Sequence, residues 1–216
     1  MNKSQHIINI ARELLHSMGM FCYVSEETKS YLEKICNGRS IYESREDIYD
    51  IVIELLKDID DQEARILLFE AYTGKSASFS PLSIETGNKI IKNARSQNEA
   101  TEYKYRVGIQ LYKSNKLVEA EKLLSETYKE DPSNYLYCRW LAEVYVKMND
   151  LDKALSILYE YKNGPYFKPR INFHGPFEPS IDNTPIIYIN GAIKNIEDKK
   201  ARGYVFRPRK NKFKSP

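Results

Sequence analysis

The sequence has no apolar run approaching the roughly 18–20 residues that a bilayer-spanning helix needs, which excludes such a span. Its first twenty residues, MNKSQHIINIARELLHSMGM, are amphipathic and broken by Arg12 and Glu13, so they lack the apolar centre of a secretory signal. A soluble, cytoplasmic protein without a membrane partner is the expectation. Cysteine is scarce: Cys22, Cys36 and Cys138 are odd in number and widely spaced, which argues against a disulfide framework and offers no metal-type spacing. Cys36 reads as a small buried apolar residue rather than a reactive thiol. The three histidines, His6, His16 and His174, are scattered outside any metal or nucleophile motif, and no glycine-rich phosphate loop is present. The acid pairs Glu26-Glu27 and Asp60-Asp61 fall at predicted helix starts, where the helix dipole accounts for them. No catalytic set, metal or cofactor is therefore expected. Proline is nearly absent from most of the chain, since seven of nine prolines follow residue 163, and the stretch before it is free to be helical.

What is present is a repeat. The segment 101–134, TEYKYRVGIQLYKSNKLVEAEKLLSETYKEDPSN, is followed at a spacing of 34 by YLYCRWLAEVYVKMNDLDKALSILYEYKNGPYFK. Val107 aligns with Leu141, Gly108 with Ala142, Leu111 with Tyr145, Leu117 with Leu151, Ala120 with Ala154 and Leu124 with Leu158. Small residues at 108/142 and 120/154 mark places where two helices of a hairpin approach closely and where an added side chain would overpack the contact. Pro132 closes the first unit after its second helix, and Asn163-Gly164-Pro165 closes the second with a helix C-cap. In period and small/large alternation this pair resembles the tetratricopeptide repeat, a helix-turn-helix unit. The aromatic frequent at the fourth position of that repeat is replaced by Lys104 and Cys138.

Upstream, residues 4–18 carry Ile7, Ile8, Ala11, Leu14, Leu15 and Met18 at helical spacing behind Ser4, and 25–36 place Tyr31, Leu32, Ile35 and Cys36 on one face before Gly38. Two adjoining helices are expected over 44–73, begun by a Ser44/Asp47 capping box and by Asp60 or Asp61 and ended at Gly74. Ile48, Ile51, Val52, Leu55, Ala64, Leu68 and Ala71 fall at the repeat positions, so 45–78 reads as a degenerate third unit. Ala64 and Ala120 are 56 residues apart, not a multiple of 34, so an extra helix behind Ser80-Pro81 must intervene. The expected organisation is a helical region at 1–100, the repeat pair at 101–163, a proline-rich linker at 164–185 and a basic, β-prone segment at 186–216. The fold class is mainly α, a helical-hairpin solenoid with a short C-terminal β-prone segment.

The resemblance implies that the first helix of each repeat lines a concave face, here presenting Tyr105, Ile109, Tyr112 and Lys113, then Arg139, Glu143, Val146 and Lys147. Aromatic anchors beside cations suit an extended peptide or an acidic segment of a protein partner. The net charge of +3 is unevenly placed: 193–216 carries +7 and the rest −4, so the two ends suit different partners. Within the tail, Asn190-Gly191-Ala192-Ile193-Lys194 and Arg202-Gly203-Tyr204-Val205-Phe206 resemble the first two strands of a cold-shock-type oligonucleotide-binding barrel. That resemblance implies single-stranded nucleic-acid binding, with Tyr204 and Phe206 stacking bases and Lys194, Arg202, Arg207 and Arg209 meeting phosphates. Such a barrel needs about five strands, and two are legible. The other reading of the tail is a hairpin docked on the helices and ending in a solvated basic extension.

Overall fold

The computed structural model describes residues 3–17, 24–36, 45–75, 80–168, 170–172 and 180–206. Its helices are α1 Lys3–Ser17, α2 Glu26–Cys36, α3 Arg45–Leu56, α4 Gln62–Lys75, α5 Pro81–Lys92, α6 Gln97–Lys113, α7 Leu117–Glu130, α8 Tyr135–Lys147, α9 Leu151–Asn163 and α10 Thr184–Ala201. Between α9 and α10 run two short strands, β1 Arg170–Asn172 and β2 Ser180–Asp182, paired antiparallel with Ile171 opposite Ile181. The chain divides into two compact units, Met1–Ser114 and Asn115–Pro216.

In the first unit, α1, α3 and α4 pack on one another, and α4, α5 and α6 stack in sequence. Ile8, Ala11 and Leu14 of α1 meet Leu32 of α2, Val52 and Leu56 of α3, and Ala64, Leu68 and Ala71 of α4 in one apolar cluster. Each is at most 7% exposed, including Leu56, which the sequence pattern did not single out; the expected Ile7, Leu15, Ile51 and Leu55 are only partly buried. α3 and α4 form the hairpin expected at 45–78, and α5 is the intervening helix. Asp61 begins α4 by accepting from the N–H groups of Glu63 and Ala64 at 2.8 and 3.3 Å. The expected Ser44 cap, Gly38 stop and Met18 lie outside the described residues.

Three polar features organise this unit, and the pattern of apolar residues does not announce them. Glu13 on α1 reaches the start of α2, where it accepts from the hydroxyls of Thr28 and Ser25 at 2.6 and 2.9 Å and from the Ser25 N–H. Burial alone would raise its pKa, but those hydrogen bonds outweigh it and hold the carboxyl below its ordinary value. Arg12 pairs with Glu63 across α1 and α4. Buried Gln62 donates to the Ile90 carbonyl at 3.2 Å, tying the start of α4 to the end of α5.

Glycine corrects one expectation and adds another close approach. Gly74 does not end α4; it lies inside the last turn, and a Cβ there would sit 2.3 Å from the Tyr49 ring. Gly87 in α5 is tighter, since a Cβ would meet Val107 Cγ2 at 2.2 Å and Phe69 Cε2 at 2.9 Å. α5 is thus wedged between α4 and α6, beside an edge-to-face pair of Phe69 and Tyr103 with centroids 5.4 Å apart.

In the second unit, α8 packs on α7 and α9, and α10 docks on α9 and α8. Ala120, Leu124, Leu141, Ala142, Ala154 and Leu158 are all buried, in the predicted register. Asn134 caps α8 and Asp150 caps α9, accepting from the N–H groups of Leu136 and Lys153, both at 3.1 Å. Asn115 and Asn149, 34 residues apart, both adopt a left-handed backbone, with φ of 65° and 63°; asparagine tolerates that region better than other residues with a Cβ. Gly164 does follow α9, but with φ of −82° it ends the helix in an extended conformation rather than as a left-handed cap.

The largest correction concerns 186–193, expected as a strand. It is the first half of α10. Pro185 occupies the first turn, where its missing N–H costs nothing, and Pro185, Ile189, Ile193 and Ile196 are buried along one side. The isoleucines that read as a β run are decided by burial against α9 and α8. Asn190 and Gly191 are therefore helical, and the two-strand cold-shock pattern does not form. The proline-rich linker, expected to lack regular structure, holds the β1–β2 ladder instead.

Candidate functional site

The predicted concave-face residues are distributed over both units. Tyr105, Ile109 and Tyr112 are half-buried on α6, and Lys113 is exposed at its end. On α8, Arg139, Glu143 and Lys147 are half-buried at a spacing of four, on one side of the helix. Val146, expected to line the face, is 5% exposed and belongs to the core.

The cations of α8 face aromatic rings from the C-terminal part of the same unit. The Arg139 guanidinium lies 4.9 Å from the centroid of Tyr188 on α10, and Tyr135 stacks on that ring at 6.1 Å and 19°. Lys147 Nζ is 5.8 Å from the Phe206 ring. Burial lowers the pKa of Lys147 from its ordinary value. Beyond it, Asn149 Oδ1 accepts from the Phe206 N–H while its Nδ2 donates to the Phe206 carbonyl at 3.3 Å. Gly203, with φ of 64°, reverses the chain after α10, and the Tyr204 N–H closes on the Lys199 carbonyl at 2.9 Å. This turn delivers Phe206 to Asn149. Sequence reasoning missed Asn149, although an asparagine recurring at 34 residues in a helix-helix turn is a signal for it.

Of the residues proposed to meet nucleic acid, Lys194, Arg202 and Tyr204 come together with Gly191, Asn195, Asp198 and Lys199 around a surface depression of about 460 Å³. Phe206 is not among them, because it is held at Asn149. Arg207 and Arg209 lie outside the described residues. Tyr204 is 40% exposed and Lys199 Nζ sits 5.4 Å from its ring.

Cys138 and His6 have structural partners. Cys138, fully buried, points its thiol to the Ile157 carbonyl at 3.5 Å; burial first and then Glu160 push its pKa up to about 12, so it stays protonated at neutral pH. His6 packs edge-to-face on Tyr31 at 5.7 Å. His174 lies outside the described residues. Among the described residues, no cluster of histidine, cysteine and carboxylate could hold a metal ion, and no helix is long and apolar enough to cross a membrane.

The helices recur in 34-residue register, with small residues buried at Ala120, Ala142 and Ala154. The tetratricopeptide repeat family matches residues 111–162. The chain contains tetratricopeptide repeats. A solved structure of MamA, MamA AMB-1, is similar with a TM-score of 0.51 and 16% identity, over 71% of this chain and 80% of that one, and speaks to the fold alone. A second crystal structure of MamA covers 84% of this chain and 99% of its own, at 14% identity and a TM-score of 0.45. No curated protein sequence matches. Tetratricopeptide repeats are protein-interaction scaffolds, and the chain is built as a helical scaffold of that kind.

Proposed function

We propose that the protein is a non-enzymatic scaffold whose repeat helix α8 holds a segment of a partner protein through Arg139, Glu143 and Lys147. The observation that carries this is the use of α8 within its own unit: each of its two cations, Arg139 and Lys147, is set against an aromatic side chain. A guanidinium or ammonium over a ring recognises an aromatic residue without demanding a particular backbone. Affinity capture with the whole chain tests the reading. Lys147→Glu is expected to lower recovery of a specific partner at least about tenfold, the weight of one lost anchor, with helicity by circular dichroism unchanged. Recovery equal to that of the native chain removes α8 as the binding surface.

A second reading rests on the depression at the end of α10, where Lys194, Lys199 and Arg202 outnumber Asp198 beside an exposed Tyr204. That arrangement suits the phosphates and one base of a single-stranded nucleic acid. A labelled oligonucleotide should then bind at low salt with an affinity that falls steeply as salt rises, and Tyr204→Ala should weaken it with little change in that slope. No binding at low salt dismisses this reading.

A further inference from the structure

The contact between Asn149 and Phe206 is unlike an ordinary surface hydrogen bond. One side-chain amide engages both the N–H and the C=O of one residue in a segment that has left its helix. That is the pairing a neighbouring strand would offer, so Asn149 reads a backbone N–H and C=O irrespective of side chain. Lys147, two residues back, adds selectivity for an aromatic ring. Asn149 holds a left-handed backbone just past the end of α8, with φ of 63°.

The bound segment is weakly anchored. Tyr204 and Val205 are 40% and 58% exposed. Phe206 therefore occupies a recognition site without being part of the fold beneath it. The contacts that seat it are chemically general: one residue's backbone N–H and C=O, and an aromatic ring.

We propose that Lys147 and Asn149 form a docking site for an extended partner segment carrying an aromatic residue, and that residues 204–206 are its built-in occupant, displaced when the partner binds. This rests on the reading of α8 as a partner-binding helix and names the segment it takes and how access is controlled. An intramolecular occupant lowers the apparent affinity for an external one by the fraction of time the site is filled.

The test uses the full chain and a fluorescein-labelled peptide of the sequence Gly-Tyr-Val-Phe-Arg-Pro-Arg-Lys, followed by fluorescence anisotropy. Phe206→Ala, which weakens the internal occupant, should bind the peptide about tenfold more tightly than the native chain. Adding Asn149→Gly, which suits the left-handed turn and removes only the amide, should abolish that gain. So should replacing the peptide's phenylalanine by alanine. Equal affinity for the native chain and Phe206→Ala, absence of binding to both, or binding indifferent to Asn149→Gly overturns the proposal. Exchange of tails between two copies, seen as a concentration-dependent dimer lost in Phe206→Ala, also overturns it by making a second copy the occupant. Loss of partner capture in Lys147→Glu together with a negative peptide result would leave the scaffold reading standing and remove the displaceable tail.

Discussion

α5 and α10 begin alike, each with a proline in its first turn and each a single amphipathic helix added to a preceding hairpin, yet they are held in different ways. α5 lies between α4 and α6 with Gly87 pressed against Val107 and Phe69. α10 is the last described helix. It buries Ile189, Ile193 and Ile196 on α9 and α8 and leaves Ile187 and Tyr188 68% and 46% exposed. Its margins are tied by polar and aromatic contacts: Tyr159 donates to Glu197 at 2.6 Å, Lys200 pairs with Asp152, and Arg139 covers Tyr188. A helix fitted on two sides tolerates no added volume, whereas one packed on a single apolar face can keep a wet one.

Gly87→Val should break the comparison most severely. The added methyl groups fall where even a Cβ is too close to a stiff β-branched neighbour, so a loss of more than about 3 kcal/mol is expected, read as a lowered denaturation midpoint. Gly87→Ala gains about 1 kcal/mol of helix propensity but remains destabilising because Val107 must move. A midpoint equal to that of the native chain would show that α5 is not wedged.

Ile193→Ala should cost about 2 kcal/mol, the lower end of the range for such truncations, because a terminal helix collapses onto the gap more readily than an interior one. Hydrogen exchange locates the loss. Amides of α10 should exchange faster while those of α8 and α9 keep their protection; uniform acceleration across α8 to α10 would mean that α10 is an integral part of the array.

The smallest effect separates the two units by pH. Cys138 in the second is raised from 9.0 to about 12, and Tyr103 in the first is raised from 10.0 to about 12, each chiefly by burial. A group whose folded pKa is raised leaves stability intact below its unfolded pKa and removes it as pH climbs toward the folded value. Between pH 9 and 10 the loss should thus come mainly from Cys138, and Cys138→Ala should flatten the fall of Tm in that interval. An unchanged slope in that variant would assign the alkaline loss to other groups.

The repeat pair was legible because every structural demand there repeats at 34 residues: Ala120 and Ala154 must be small, Leu124 and Leu158 must be large, and all four are buried. Much of the candidate site was not. Lys147 and Arg139 could be named as cations on the first helix of a repeat, but their aromatic partners, Phe206 and Tyr188, stand 59 and 49 residues later in the sequence. No local pattern carries a separation of that length. Tyr204 and Phe206 were read as one aromatic pair of a strand, and the reversal at Gly203 sends them to different surroundings.

Periodicity, small residues and sparse proline by themselves determined a helical-hairpin scaffold, because a helix that must bury one side writes that side into its sequence every three to four residues. Tertiary structure alone decided that 186–193 is helical. A short run of isoleucine satisfies a strand and a helix equally, and only the apolar surface of α9 and α8 selects between them. It decided the seat of Gly87 as well, since a glycine's need for space depends on which neighbours reach it, and those neighbours are brought by other helices.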